Sequence, residues 1–185
     1  MMLVDVHMLT LPDSRADWMA CALADMRDEP ASVHIVRGTD GHIGKGRAQG
    51  FALGSEPYLS FIDPDDRYPA GGLRKCLAVL ERAPDVGLVY TSELMVDSSL
   101  EPVGRPDISP YNPADHRLRP KHVHGLMVFR RAAVAPHLNE IVTFPRLPEW
   151  RITTRIAERW RGGKLPIRPG ISWPTNSCSV RGAWS

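Results

Sequence analysis

The sequence predicts one α/β domain, with a mainly parallel central sheet flanked by helices. Short apolar or β-branched runs alternate along the chain with segments whose apolar residues recur at i, i+3, i+4 and i+7. The 185 residues suit a single core. Hydrophobic and charged residues make up 43% and 24%, the balance of a globular protein rather than a disordered or fibrous one.

The elements follow in order. Leu3, Val4, Val6 and Met8 form a first strand. Leu11-Pro12 breaks it, and Asp13 or Ser14 is placed to cap a helix whose apolar face is Met19, Ala22, Leu23 and Met26. Val33, Ile35 and Val36 read as a second strand. Gly38, Gly41, Gly44 and Gly46 mark a flexible turn, and residues 47–53 look helical. Tyr58-Leu59-Ser60-Phe61-Ile62 is a third strand running into the acidic turn Asp63-Pro64-Asp65-Asp66. Pro69 sits where a helix can start, and Leu73, Cys76, Leu77 and Leu80 form its buried stripe. Residues 86–90 read as a fourth strand, with 93–97 beside it. The prolines of 101–120 predict a long irregular loop. Residues 124–130 form another strand, 148–160 a helix ended by Gly162-Gly163, and Leu165 with Ile167 a last short strand.

Net charge is +2, which neither demands nor excludes a nucleic-acid partner. Residues 117–168 are rich in Arg and Lys, which points to an anionic partner on that half. Cys21, Cys76 and Cys178 form no CxxC pair, so a zinc site or disulfide framework is not indicated, and buried free thiols are expected at Cys21 and Cys76. No signal peptide and no apolar run of about 20 residues is present, so no transmembrane segment and a cytoplasmic location are expected.

Chemistry concentrates at the acidic turn. Ligands of open α/β sheets bind beyond the carboxyl ends of strands, where Asp63, Asp65 and Asp66 lie. Three adjacent carboxylates repel one another, and oxygen-only ligands suit Mg²⁺ or Mn²⁺. Such a cation can stabilise a diphosphate leaving group. The alternative is a solvated turn capping the Pro69 helix.

Gly44-Lys45-Gly46-Arg47-Ala48-Gln49-Gly50, Ala52-Leu53-Gly54 and then Tyr58 through Asp66 form an ordered series that resembles GT-A fold glycosyltransferases of the family 2 type. The resemblance covers residues 3–97 and continues more weakly to 173. It implies a Rossmann-like GT-A domain over 1–185, with a nucleotide-sugar-binding half at 1–97 and an acceptor-side half at 98–185. By that resemblance Asp63 and Asp65 are the Asp-x-Asp pair, holding the ribose and a Mn²⁺ or Mg²⁺ ion. Thr10, Leu11 and Pro12 receive the nucleobase. Arg47 faces the nucleotide, its alternative being a surface helix residue. Arg37-Gly38-Thr39-Asp40-Gly41 stands where the family carries an Asp-Asp-Gly-Ser-like turn, with Asp40 as the substitute acid.

In the second half, Glu149 takes the place of the family's catalytic base and Pro148 that of the preceding Glu; the alternative is an acid favouring its helix dipole. His124 is placed to bind phosphate, sugar or metal, or simply to hydrogen-bond. Met127-Val128-Phe129-Arg130-Arg131 resembles the segment beside the donor sugar, and Asn176 falls where a late His is expected. The function implied is a metal-dependent inverting hexosyl- or pentosyltransferase, with a UDP-sugar as default donor and a saccharide, protein or modified nucleobase as acceptor. A non-catalytic nucleotide-sugar-binding module and a nucleotidyltransferase are the alternatives.

Overall fold

The computed structural model describes residues 3–97, 101–104, 111–120 and 123–165. In chain order the elements are β1 (Val4–Thr10), α1 (Ala16–Asp25), β2 (Ala31–Arg37), α2 (Ile43–Phe51), β3 (Tyr58–Ile62), α3 (Gly72–Arg82) and β4 (Val86–Thr91). There follow α4 (Pro113–Leu118), β5 (His124–Arg130), α5 (Arg131–Val134), a 3₁₀ turn (Ala135–His137), α6 (Leu138–Ile141), α7 (Pro148–Ile156) and β6 (Arg161–Leu165). The strands form one sheet in the order β2-β1-β3-β5-β4-β6. β1 is parallel to β2 and β3, and β4 to β6, whereas β5 is antiparallel to both its neighbours. The sheet is therefore mainly parallel with one reversed strand. The carboxyl ends of β1, β3 and β4 share one edge, and β5 begins there, His124 opposite Thr91.

Strand alternation splits the core into two layers. Val4, Val6, Met8, Tyr58 and Ile62 face α1 and α3, meeting Ala22, Met26, Leu73, Cys76, Leu77 and Leu80. Each leucine of the α3 stripe contributes about 1.5–3 kcal/mol by leaving water. On the other face Leu59, Phe61, Leu88, Tyr90, Met127 and Phe129 pack under α2, α5, α6 and α7.

Several expectations are corrected. The glycine-rich segment is helix from Ile43 onward rather than a flexible turn. A Cβ on Gly44 would lie 2.1 Å from the Phe144 carbonyl oxygen, and one on Gly50 2.3 Å from the His7 ring. These glycines permit close packing of α2, at about 1 kcal/mol of helix propensity each. Neither Asp13 nor Ser14 caps α1, whose N-cap is Arg15; the Ser14 hydroxyl instead accepts from Leu11 N–H at 2.8 Å. α3 starts at Gly72, beyond Pro69. Val96 bridges to Pro102 rather than lying beside β4. Within the proline-rich loop, Pro113 opens α4, because a proline at the first helical position loses no hydrogen bond and Asn112 caps the two following N–H groups. α7 ends at Ile156, and Gly162-Gly163 belongs to β6. Cys76 is a buried free thiol, pushed up to about 12 by burial, but Cys21 is disulfide-bonded. Ile167, Asn176 and residues 105–110 lie outside the described residues.

The amino-terminal edge of the sheet is closed by ion pairs. The buried Asp5 carboxylate accepts from His34 Nε2 at 2.7 Å, the Arg131 guanidinium at 2.5 Å and Glu56 N–H at 2.8 Å. Arg131 also donates to the carbonyls of Phe51, Leu53 and Glu56, and Arg130 to those of Leu80, Ala83 and Val86. The orphan carbonyls ending α2 and α3 are satisfied this way. Asp5→Ala is expected to cost about 3–5 kcal/mol, because a guanidinium is left without its partner. Urea unfolding monitored by circular dichroism measures this, and a loss below about 1 kcal/mol contradicts the assignment.

Candidate functional site

The acidic turn lies at the carboxyl edge, directly after β3. Asp66 N–H donates to the Asp63 carbonyl at 3.1 Å, closing the turn. Asp25, buried at the end of α1, holds the turn from below. It takes Arg67 Nε and a second guanidinium nitrogen at 2.8 Å each, and Tyr68 N–H at 2.9 Å. The Tyr68 hydroxyl donates to the Phe61 carbonyl. None of the turn's carboxylates caps α3, whose N-cap is Gly71, so the capping alternative does not hold.

Arg47 brings the distant pieces together. It is 2% exposed, not a surface helix residue. Its Nε donates to Glu149 Oε1 at 2.5 Å, and a terminal nitrogen donates to Asp63 Oδ1 and Oδ2 at 2.8 and 3.2 Å. The guanidinium sits 3.9 Å from the Phe61 ring centre. Burial opposes its charge, but Asp63 and Glu149 outweigh it and hold the group above its ordinary value. The other terminal nitrogen lies 3.4 Å from His7 Nε2. Burial first, then the charges of Arg47 and His34, push His7 far below its usual range, so it is neutral and Nε2 accepts.

Beside this cluster a cavity of about 580 Å³ opens. Leu9, Leu11, Trp18 and Ile43 form apolar walls, Asp13, Ser14 and Arg15 a polar margin, and Arg47, Asp63, Pro64 and Asp65 one end. Arg15 lies 4.4 Å over the Trp18 ring and is fixed by Asp17, Nε to Oδ1 at 3.0 Å. Asp63 and Asp65 offer carboxylate oxygens at the rim, and Asp63 is 36% exposed. Among the described residues no three His, Cys, Asp or Glu side chains converge as a metal cage. The donor set fits instead a Mg²⁺ or Mn²⁺ ion held by one or two carboxylates and completed by phosphate oxygens.

Of the residues selected from the sequence, Leu11, Arg47, Asp63 and Asp65 line the cavity, and Glu149 joins them through Arg47. Thr10 and Pro12 are not among the lining residues; the Thr10 hydroxyl donates to the Val36 carbonyl at 3.3 Å. Asp40 is exposed on the turn before α2, outside the lining. His124 starts β5 at the same edge, but its side chain lies outside what is described. Arg130 and Arg131 are at the opposite edge, because the reversed β5 pairs Arg130 with Tyr58, the first residue of β3. Five residue steps along β3 separate that end from Asp63, roughly 16 Å. Sequence reasoning missed His7, Asp25, Arg15 and Trp18. The one available signal was the alternation Asp5, His7, Leu9, which places polar groups on the face that α2 covers.

Asp66 carries the electrostatic signature of the turn. Desolvation and then the charges of Asp63, Asp65 and Glu93 push its carboxyl up to about 7, with Arg47 opposing. The residue keeps contact with water, which tempers the burial contribution, while the repulsion from three neighbouring acids remains. A raised folded-state value means that the native chain binds more protons than the unfolded one between about pH 4 and pH 7. Asp66 therefore contributes a loss of stability as pH rises through that window. Asp66→Asn is expected to remove this loss and raise the melting temperature at pH 7.5 while leaving it unchanged at pH 4. Parallel melts at the two pH values check this, and equal shifts at both contradict it.

Solved structures share the architecture, among them the following three. TarS from S. aureus, residues 1–349, aligns over 89% of this chain and 58% of its own, at TM-score 0.63 and 15% identity. Mannosyltransferase PcManGT from Pyrobaculum calidifontis, in complex with GDP-Man and Mn²⁺, aligns over 88% and 54%, at TM-score 0.56 and 14% identity. The nucleotidyltransferase 4-diphosphocytidyl-2C-methyl-D-erythritol synthase from Anaerococcus prevotii aligns over 97% and 95%, at TM-score 0.54 and 8% identity. The chain thus spans little more than half the length of the two glycosyltransferase structures. No family model matches the sequence, and no curated protein matches it. At these identities the likeness concerns the fold: the chain has the Rossmann-like α/β fold of the GT-A type, which glycosyltransferases share with nucleotidyltransferases.

Proposed function

We propose that the chain is a cation-assisted inverting glycosyltransferase that moves a sugar from a nucleoside diphosphate, UDP by default, to an acceptor hydroxyl. The observation that carries this reading is the meeting of Asp63, directly after β3, and Glu149 from α7 on one buried arginine at the end of a cavity.

The apolar walls Leu9, Leu11, Trp18 and Ile43 suit the flat face of a nucleobase, with Arg15, Asp13 and Ser14 at its polar edge. Asp63 and Asp65 lie where the diphosphate follows. Glu149 accepts the proton of the acceptor hydroxyl as its oxygen bonds the anomeric carbon and the bond to the diphosphate breaks. The cation, when bound, offsets the charge of the departing diphosphate. On the acceptor side α4 is fixed to α7: His116 Nε2 and Thr153 Oγ1 are 2.9 Å apart, and Trp150 Nε1 donates to the His116 carbonyl at 2.6 Å. The acceptor presented to Glu149 is a saccharide, a protein side chain or a modified nucleobase.

A nucleotidyltransferase is the second reading, favoured by the alignment over 95% of the synthase chain. Against it, β1 leads into Leu11, Pro12 and Asp13, and not into the glycine-rich basic turn that cradles a triphosphate.

Melting curves with UDP-, GDP- and CDP-sugars, with and without Mn²⁺, test the proposal, since a ligand of the native state must stabilise it. One donor is expected to raise the melting temperature only with Mn²⁺ and to be slowly hydrolysed. Asp65→Ala is expected to abolish the shift. Glu149→Gln is expected to keep it while lowering turnover by about 10²–10⁴-fold. A shift without turnover in the wild type identifies a binding module, and pyrophosphate release from CTP the second reading. The proposal fails if no nucleotide binds, or if Asp65→Ala leaves binding unchanged.

A further inference from the structure

β2 is an open edge of the sheet. It pairs with β1, and among the described residues no strand lies on its outer side. An edge of that kind presents a row of unpaired N–H and C=O groups, which proteins blunt with lysine, proline, a bulge or a very short strand. β2 has none of these: it runs without a register shift over seven residues, Ala-Ser-Val-His-Ile-Val-Arg. The opposite edge, β6, carries Arg161 and Lys164. Val4 N–H donates to the Pro30 carbonyl at 2.8 Å and Gly38 N–H to the Thr10 carbonyl at 2.7 Å, so the even-numbered residues of β2 bond β1. The odd-numbered Val33, Ile35 and Arg37 therefore turn their backbone groups outward. Val33 and Ile35 also share the face of Val6 and Met8, where they are 37% and 57% exposed.

We propose that β2 pairs antiparallel with β2 of a second copy of this chain, about a two-fold axis at Val33. The stretch from Glu29 to Arg37 is complementary to itself in that register. Val33 meets its own copy, Ala31 meets Ile35, and Arg37 at the end of one strand meets Glu29 before the start of the other. All of these are odd-numbered, so the backbone bonds and the apolar pairs favour the same register. The charge match at both ends favours a second copy over an unrelated strand. It also favours the antiparallel direction, since a parallel one sets Arg37 beside Arg37. Glu29 is fixed there by Arg74, whose N–H donates to it at 3.1 Å. The inference stands apart from the proposed function, because no β2 residue is among those lining the cavity.

Sedimentation velocity over a range of concentrations reads the mass of the full chain. The wild type is expected to pass from one chain to two as concentration rises. Ile35→Lys is expected to weaken the association by at least about tenfold, by placing an ammonium on the pairing edge. Cysteine crosslinking reads the register. Directly opposed, hydrogen-bonded residues have Cα atoms about 5.5 Å apart, within reach of a disulfide. Val33→Cys is therefore expected to crosslink to its own copy under mild oxidation. Ile35→Cys lies roughly 13 Å along the strand from its copy and is expected to crosslink no more than the wild type. A wild type that stays a single chain at every concentration overturns the proposal. So does a dimer that Ile35→Lys leaves intact, or one in which Val33→Cys crosslinks no faster than Ile35→Cys. If Ile35→Lys does not fold by circular dichroism, the two cysteine variants decide.

Discussion

Arg47 sits out of water between Asp63, Glu149, the Phe61 ring and His7, and the local architecture depends on making that tolerable. A guanidinium taken into a protein interior costs several kcal/mol unless its donors are met. Meeting them sets three conditions. β3 must end where its first turn residue reaches α2. α7 must begin where Glu149 reaches the same guanidinium. α2 must lie close enough to β1 that no side chain intervenes, which is why glycine stands at 46 and 50, against Leu9 and His7. His7 completes the arrangement by staying neutral, since a second cation 3.4 Å away would undo it.

The two edges of the sheet handle charge in opposite ways. At the amino edge Asp5, Arg130 and Arg131 are absorbed into carbonyls, an amide and each other, and the ends of α2 and α3 are closed. At the carboxyl edge Arg47 faces two carboxylates, and Asp65 and Asp66 remain exposed beyond it. The reversed direction of β5 makes this division possible: it carries its arginine pair away from the turn while bringing His124 toward it. Stability is concentrated at one end and unbalanced negative charge at the other.

The apolar stripe of α3 and the continuous apolar runs of β3 and β5 were enough to place these elements, because α3 packs one face on a core layer and the two strands are buried on both faces. The helix α2 was half hidden, since its glycines carry the chemistry of turns and their reason is a neighbour distant in sequence. Pro113 misled for the complementary reason: proline breaks a helix interior but opens a helix well. Within the site, Asp63, Asp65, Arg47 and Glu149 could be selected from local pattern and resemblance. Their mutual contact could not, because 102 residues separate Arg47 from Glu149. Asp25 was invisible for the same reason, being a helix-end acid whose partner is Arg67. The Arg130-Arg131 pair was misplaced because reading it beside the donor took no account of strand direction.

The acidic turn can be judged against what an ordinary surface turn would look like. Such a turn spreads its carboxylates into solvent or spends them on helix N–H groups, and neither is the case for Asp63. Asp63 is tied to a buried guanidinium, and Asp66 is held where desolvation and then its acidic neighbours raise its carboxyl to about 7. Asp25, Arg67 and Tyr68 then fix the backbone so that this repulsion is not relieved by moving apart. Repulsion maintained by a rigid frame lowers stability with no structural return, and that pattern marks groups kept for binding or catalysis. A ligand that brings positive charge to the turn and negative charge to Arg47 relieves both sides at once, and a cation carried on a diphosphate is of that kind.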